Sequence, residues 1–531
     1  MRLKLINKLL LLGCLCLQSL LAHAAIDAAM LTPLAGDDPD ARLAAVARIA
    51  ALANDDASKV LLALKNETLY ALPDGTLLIV DGDKAYDPAT GQTGPVPDGA
   101  DGVVVNNRLR AAVDGALSGL KLFAADRGQR LAAAQDLQKS IDAAQVPLIR
   151  KAWQKEADPA IRQILELLIA TANLHAPEVA LRKAAVLQLA ASSDARLLPQ
   201  LQGMLDKNVE PDETVRIAAV ATIEAIKGRV QRTELVGKLF YGISLGSVLL
   251  LAALGLAITF GLMGIINMAH GELLMIGAYT TYVCQLLFRK FLPAYLDAYL
   301  IVALPAAFLV AGAVGVVLER SVIRWLYGRP LETLLATWGI SLMLMQLVRT
   351  IFGAQNVEVA NPSWMSGGIT VLGSLVLSYN RIVIIFFALF VVVAVWLILN
   401  QTRLGLFVRA VTQNRRMADC VGVSTGKIDM LTFGLGSGIA GLGGLALSQL
   451  GNVGPDLGQS YIVDSFMVVV LGGVGQLAGT VIAALGLGEV NKFLEPVAGA
   501  VLAKIAILVF IIIFIQRRPQ GLFAMKGRSI D

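Results

Sequence analysis

The chain has 531 residues, of which 56% are hydrophobic and only 16% are charged, and its mean hydropathy is +0.67. These values lie outside the usual composition of soluble globular proteins, so a large part of the chain is expected to sit in lipid. The net charge is a modest +5, with basic residues in short clusters beside apolar runs, and it gives no support to nucleic-acid binding. The four cysteines indicate neither a disulfide framework nor a metal site.

The N-terminus has the features of a secretory signal. Three basic residues precede an apolar run, and Ala22-His23-Ala24 supplies a small-residue cleavage site. We therefore predict a signal peptide over residues 1–24 and export of residues 25–232 to the periplasm.

The exported half is predicted to be a HEAT-like helical solenoid. Amphipathic segments rich in Ala and Leu recur, and each begins with Asp or Pro and carries an arginine a few positions later. In such repeats Asp or Pro starts the helix and the arginine packs over the turn between repeats. The four pairs are Asp38 with Arg42, Asp158 with Arg162, Pro177 with Arg182, and Pro211 with Arg216.

Between residues 67 and 105 the pattern changes to short β-rich runs separated by Asp-Gly turns, which predicts a small β-hairpin insertion. Two tasks stay open for the exported domain: a docking surface for a partner, or a stabilising spacer.

Residues 233–516 are predicted to form an all-α transmembrane domain with eight or nine spans. Apolar runs of about 20 residues are long enough to cross the hydrocarbon core. An exported N-terminus and a cytoplasmic tail at 517–531 require an odd number of membrane crossings, which favours nine spans. The predicted spans are 235–260, 261–288, 298–318, 332–352, 382–399, 430–450 and three shorter ones between 462 and 515.

Basic clusters support this orientation, because positive residues favour the cytoplasmic side. One cluster surrounds Arg324, a second lies in residues 402–427, and a third is Arg517-Arg518. Basic residues between Lys227 and Lys238 lie on the opposite side of the first span and argue against it, although a long exported domain can override that bias.

Two polar groups within the apolar half are candidates for a solute path. Asn267, His270 and Glu272 fall within six residues, a costly combination in lipid. They indicate either a broken helix lining the path or polar contacts between helices. A second group, Thr333, Thr337 and Ser341, lies on one helix face and allows the same two interpretations.

The basic loop 402–427 is predicted to be the cytoplasmic element on which an ATPase docks, the alternative being an ordinary positively charged loop. Two segments resemble nucleotide-binding motifs, but 436–441 lies inside an apolar span and 422–427 is one residue too short between its glycines. We therefore expect no ATPase site in this chain. The docking candidates are Arg409, Arg415, Arg416, Asp419 and Gly422.

Five ordered motifs over about residues 233–527 resemble one family. They read INMAHGELLMIGAY, RPLETLLATWGISLMLMQ, TRLGLFVRAVTQNRRMADCVGV, VLGGVGQLAGTVIAALGLG and RRPQGLFA. Together they resemble the LivH-like permeases of branched-chain amino acid ABC importers, and within that family the UrtB-type urea permeases. The long N-terminal extension also resembles the urea branch.

The resemblance implies a permease subunit that works with a second homologous permease, two cytoplasmic ATPase subunits that bind ATP, and a periplasmic solute-binding protein. It further implies a bacterial inner-membrane location, urea as solute, and no cofactor or enzymatic activity in this chain. One alternative is an importer of the same type for branched-chain amino acids or short amides. Another is a stand-alone urea channel or ion-coupled transporter.

Overall fold

The structure is a computed structural model that describes residues 26–82, 84–97, 99–138, 145–371 and 375–523. The predicted signal peptide lies outside the described residues. Contacts divide the chain into two compact units, Met1–Val230 and Gln231–Asp531.

The first unit is mostly short helices. Several begin with the side chain of Asp or Asn accepting a hydrogen bond from a backbone N–H of the first turn, as in the N-caps Asp38, Asn54 and Asp158. The helices are α1 (Ala28–Leu31), α2 (Pro39–Leu52), α3 (Asp55–Lys65), α4 (Asn107–Leu120), α5 (Arg127–Leu137), α6 (Val146–Lys155), α7 (Pro159–Asn173), α8 (Val179–Leu189) and α9 (Leu197–Gly203).

The insertion is larger than the predicted hairpin. It is an antiparallel five-stranded sheet in the order β4-β3-β2-β1-β5, because the run after β2 continues into further pairings. Buried Leu69 and Leu77 on β1 and β2 join the apolar cluster of the surrounding helices. The strands are β1 (Leu69–Ala71), β2 (Leu77–Asp81), β3 (Lys84–Tyr86), β4 (Thr93–Pro95) and β5 (Asp101–Gly102).

Arginines of the first unit connect successive helices through hydrogen bonds and ion pairs. Arg182, at the start of α8, donates to the carbonyls of Ala176 and Pro177 and forms a two-pronged ion pair with the buried Glu210. Arg130 repeats this arrangement with Glu156 earlier in the unit, a position that the sequence pattern did not single out. Each arginine therefore donates hydrogen bonds both to the carbonyl oxygens of a turn and to a buried carboxylate.

These ion pairs make the stability of the first unit sensitive to acid. The Arg182 guanidinium lowers the pKa of Glu210, and Arg130 does the same to the pKa of Glu156. Since the folded pKa lies below the unfolded value of about 4.3, the stabilisation is complete above that pH. It is lost as the pH falls through the folded pKa.

Replacing Arg182 by Leu is expected to accelerate hydrogen exchange of the amides around α8 and α9 about tenfold or more, because Glu210 is left buried without a cation. The measurement uses the full-length protein. Arg196→Leu is the matched control, since its pair with Asp194 is largely exposed and contributes little. Equal exchange in the two variants would contradict this account.

The second unit is built from long helices, and one of them, α10 (Glu213–Met263), contributes residues to both units. Two antiparallel strands, β6 (Gly368–Val371) and β7 (Leu375–Ser378), precede the helix that begins at Tyr379. The helices after α10 are α11 (His270–Phe291), α12 (Tyr299–Ser321), α13 (Pro330–Phe352), α14 (Tyr379–Gln401), α15 (Arg403–Gln413), α16 (Arg415–Cys420), α17 (Thr425–Ser448), α18 (Leu457–Gly472), α19 (Leu477–Ala498) and α20 (Ala500–Arg517).

Seven described segments are long and apolar enough to cross a membrane, so the second unit is a polytopic helical membrane domain. Helix α18, with 16 residues, is shorter, and α11 is not among the seven. The count of nine spans stays a prediction. The seven are Glu213–Gly261, Pro293–Trp325, Pro330–Phe352, Tyr379–Gln401, Thr425–Ser448, Leu477–Ala498 and Ala500–Arg517.

Two predicted boundaries were wrong. The second span does not follow directly on the first, because residues 264–269 are non-helical and α11 begins only at His270. Gly264 takes a φ of +70°, which only glycine adopts readily, and this ends α10. Helix α17 starts at Thr425 rather than 430, so the end of the predicted loop belongs to this helix.

Helix α17 lies at the centre of the second unit and is almost entirely buried. Its glycines allow α11 and α12 to approach closely: a Cβ on Gly444 would lie 1.8 Å from the carbonyl oxygen of Leu274, and one on Gly441 would lie 2.4 Å from that of Ala307. The GxGxxG segment of this helix is therefore a packing surface of the kind that small residues provide in membranes.

Substituting Ala for Gly444 is expected to cost about 1–3 kcal/mol or more, because the new methyl group meets backbone that cannot move aside. Gly486→Ala in α19 is the matched control, since nothing lies within 4 Å of its added Cβ. That change is expected to stabilise the helix by about 0.5–1 kcal/mol. Thermal unfolding in detergent measures both, and a stable Gly444 variant would contradict the packing argument.

Candidate functional site

The non-helical segment 264–269 between α10 and α11 forms the candidate site. Its backbone groups lack the usual helical partners, so neighbouring side chains must satisfy them. The Asn267 side-chain oxygen accepts from the N–H of Ala269 at 3.0 Å, and the Thr337 hydroxyl accepts from the N–H of Met268 at 3.1 Å. The non-helical segment is thus stabilised by one side chain of its own and by one from α13.

The three polar residues predicted here are brought together and buried. Asn267, His270 and Glu272 are at most 1% exposed. His270 Nε2 lies 2.9 Å from the carbonyl oxygen of Ala252, a geometry in which this nitrogen donates. Glu272 accepts from the hydroxyl of Ser341 at 2.9 Å.

The predicted hydroxyl stripe of α13 is buried against this cluster, but its members do different things. Ser341 binds Glu272, and Thr337 binds the broken segment while donating to the Thr333 carbonyl at 2.8 Å. Thr333 donates to the carbonyl of Arg329 in its own helix. Thr337 and Ser341 therefore belong to the cluster, whereas the hydroxyl of Thr333 is already used within α13.

Three unpartnered polar atoms distinguish the cluster from simple contacts between helices. Asn267 Nδ2, His270 Nδ1 and Glu272 Oε2 are buried and have no hydrogen-bond partner among the described residues. Such atoms are costly in a low-dielectric interior, because each gives up its hydration without replacement. The cluster can therefore offer a donor and two acceptors to a small polar molecule.

A buried network that the sequence did not reveal closes one end of the helices around the site. The carbonyl oxygen of Ala360 accepts from Gln285 Nε2 and from the Tyr299 hydroxyl, both at 2.9 Å. Val357 and Val453 exchange backbone hydrogen bonds beside it. In the sequence, the network is indicated only by polar residues in apolar surroundings. The group that both side chains bind is a backbone carbonyl of an alanine, which no sequence pattern marks.

The predicted docking loop folds into two helices, α15 and α16, that are fixed to the membrane domain. Arg415 pairs with Asp429 of α17, which is 2% exposed, and stacks on the ring of Tyr327 at 4.6 Å. Arg409 donates to the carbonyl of Leu399 at 2.8 Å. These two arginines hold the loop in place.

The remaining docking candidates have separate positions. Asp419 accepts from the Thr425 hydroxyl at 3.2 Å, whereas Arg416 is exposed. Gly422 has a φ of +89° and forms the turn before α17. It also lines an open groove with apolar side chains, among them Phe407, Val421 and Leu431. A partner can reach this groove and the exposed residues Arg416 and Asp419, and the side chains of Arg409 and Arg415 are also exposed.

A zwitterionic solute would call for paired opposite charges in the membrane domain, and Glu489 and Lys504 are two charged residues of its last helices. Lys504 pairs with Asp464 at 3.0 Å rather than with Glu489. Glu489 lies against Gly242, and its Oε2 is buried without a partner among the described residues. The second unit thus contains an opposite-charge pair, but its two members already neutralise each other.

The helical architecture and the polar break together define a multi-pass helical membrane protein with a buried polar site. Residues 238–516 match the family described as "Branched-chain amino acid transport system / permease component". The chain belongs to this family. The family match covers the second unit and none of the first.

Curated relatives match the same part of the chain. The high-affinity branched-chain amino acid transport system permease protein BraD of Pseudomonas aeruginosa is 28% identical over 291 residues, 54% of this chain and 94% of the relative. LivH of Escherichia coli, named for the same transport system, is 26% identical over 294 residues, with the same coverage. The ribose import permease protein RbsC of Escherichia coli is 30% identical over 135 residues, 22% of this chain and 42% of the relative. No solved structure matches.

Removing the Arg415 side chain is expected to loosen α15 and α16 by about 1–3 kcal/mol, since Asp429 would lose its cation while staying buried. Amide exchange in these helices should accelerate about tenfold or more in Arg415→Ala. Arg416→Ala is the matched control, because this neighbouring side chain is exposed, and it should leave exchange unchanged. Faster amide exchange in Arg416→Ala than in Arg415→Ala would show that Arg415 does not fix the loop.

Proposed function

We propose that this chain is the permease subunit of an ATP-binding-cassette importer that carries a small nitrogen-containing solute across the bacterial inner membrane. The family match over residues 238–516 is the observation on which this rests, with relatives named as permease proteins aligned over 94% of their length. A permease needs an ATP-hydrolysing partner, so the proposed assembly includes a second related permease, two cytoplasmic ATPases and a periplasmic solute-binding protein.

The solute path is proposed to pass the cluster at the helix break. Non-helical backbone within a membrane domain is tolerated where it is buried in protein or lines a polar cavity. The unpartnered atoms of Asn267, His270 and Glu272 give a neutral solute replacements for its water. Thr337 and Ser341 hold this lining in position.

The ATPase is proposed to dock on α15 and α16. The fixed ties of Arg409 and Arg415 would carry a push on these helices to α14 and α17. Because α17 packs closely against α11, its movement reaches the candidate path directly.

For the solute, the comparisons support a branched-chain amino acid better than urea, since BraD and LivH carry that transport system in their names. Identities of 26–28% and a partial match to a ribose permease leave room for another solute on the same fold.

Urea is the second candidate, and one specific observation favours it. Within the described part of the path cluster, the carboxyl of Glu272 is not in an ion pair with a basic side chain. Urea is neutral, so its site needs no basic side chain. An amino acid has a carboxylate of its own, and a site for it needs a cation to pair with that group. The matches to BraD and LivH also leave the first unit of this chain uncovered, since they extend over only 54% of it.

The test is uptake of labelled leucine and labelled urea by the complete complex in proteoliposomes, with its binding protein outside and ATP on the ATPase side. One of the two should accumulate only with hydrolysable ATP. Urea flux without ATP would identify a channel, and uptake of neither would refute the importer.

A charge reversal provides the control within the same assay. Arg416→Glu is expected to lower ATP-driven uptake about tenfold or more, because Arg416 is an exposed arginine of the proposed docking surface. Arg324→Glu makes the same change on another exposed basic position and should keep most of the uptake. Equal uptake by both variants would place the ATPase elsewhere.

A further inference from the structure

Two buried side chains on one face of α11 have polar atoms without partners. Glu272 and Tyr279 are seven residues apart, two helical turns, and so point in the same direction. They are 1% and 2% exposed. Neither Glu272 Oε2 nor the Tyr279 hydroxyl has a hydrogen-bond partner among the described residues.

A second carboxyl group lies at the start of a neighbouring helix. Asp456 is the N-cap residue of α18 and lies within electrostatic range of both Glu272 and Tyr279. The first turns of the two helices touch, since a Cβ on Gly271 would lie 2.4 Å from the carbonyl oxygen of Gly458. Two carboxyl groups and a phenol therefore lie in the region where α11 and α18 meet.

The unpaired polar atoms of Glu272 and Tyr279 do not stabilise the contacts between helices, but they are available to bind a ligand. Polar contacts that only hold helices together use up the available atoms, as Ser341 does with the other oxygen of Glu272. Here the two remaining buried atoms are unpaired, and within the described residues neither Glu272 nor Asp456 forms an ion pair. Burial without partners is costly unless a ligand supplies them.

The chemistry of the three groups selects the ligand. Carboxylate oxygens accept hydrogen bonds, and a phenol can accept or donate. A group with several N–H donors can bond to each of them in turn, and both an amide –NH₂ and an ammonium have this property. A hard metal ion is a poorer fit, because calcium takes about six to eight oxygen ligands.

We propose that Glu272, Tyr279 and Asp456 form a subsite that binds the N–H donor group of the transported solute. This inference rests on the proposed function, since it assigns the substrate contact of the same path. Asp456 is exposed, so it meets the solute first, and the buried Glu272 and Tyr279 receive it as it moves inward. The amide of urea and the ammonium of an amino acid are the two sources of this group.

The experiment compares Tyr279→Phe and Asp456→Asn in the complete complex, with labelled urea and labelled leucine as separate arms. Each variant removes one polar function at nearly constant shape. The KM of the transported solute should rise about tenfold or more, because a hydrogen bond to the solute is lost. Tetramethylurea, which has no N–H, should not compete with urea uptake.

Two matched variants control for position. Tyr282→Phe removes a hydroxyl from the same helix, where both tyrosine rings contact Phe352. Glu358→Gln neutralises an exposed acid in the segment between α13 and β6. Both should keep the wild-type KM.

The outcomes separate this subsite from the proposed function. If the wild-type complex transports urea or leucine and all four variants share one KM, the subsite is refuted while the importer stands. If the wild-type complex transports neither, both fail. A raised KM in the urea arm identifies an amide as the bound group, and a raised KM in the leucine arm identifies an ammonium.

Discussion

The second unit depends on one constraint: polar groups removed from water must be paired within the protein. Where α10 stops at Met263, six residues leave the helical hydrogen-bond ladder before α11 begins. Side chains of Asn267 and Thr337 replace the missing backbone partners, and His270 reaches back to α10. These bonds fix where α11 starts and which of its faces meets α13, so the position of every polar candidate follows from them.

Close helix packing makes this arrangement possible. The gain from association in lipid comes mainly from dispersion and hydrogen bonds, both of which require short distances. The glycines of α17 permit backbone contact on two sides, and α11 and α12 occupy those sides. The polar cluster is therefore enclosed by tightly packed backbone, which restricts the positions that its side chains can take.

Local signals in the sequence predicted the helical membrane half, the polar candidates and the basic loop, because each depends on hydropathy or on residues close in the chain. Tyr279 lies two turns from Glu272 on α11 and could have been found from helical periodicity alone. Asp456 stands at the start of α18, far along the chain, and this helix packs against the first turn of α11, so no local pattern could reveal that Asp456 lies in the same region as Glu272.

The same limit explains the other differences between prediction and structure. The Ala360 carbonyl gathers Gln285 and Tyr299 through long-range contacts that leave no mark on hydropathy. Arg415 was predicted as a surface docking residue because its neighbours are basic, yet its partner Asp429 lies inside the next helix. Long-range pairing of this kind is set by packing, which a single sequence does not display.

The polarity of α11 has a consequence for how the protein enters the membrane. This helix carries Glu272 and Gln285 and is not among the seven described segments that are apolar enough to cross on their own. A translocon that sorts segments by hydrophobicity would release such a helix poorly when it emerges alone. Its insertion is therefore expected to depend on α13 and the segment after it, whose Ser341 hydroxyl and Ala360 carbonyl pair with these two side chains, so biogenesis of this region is a cooperative event.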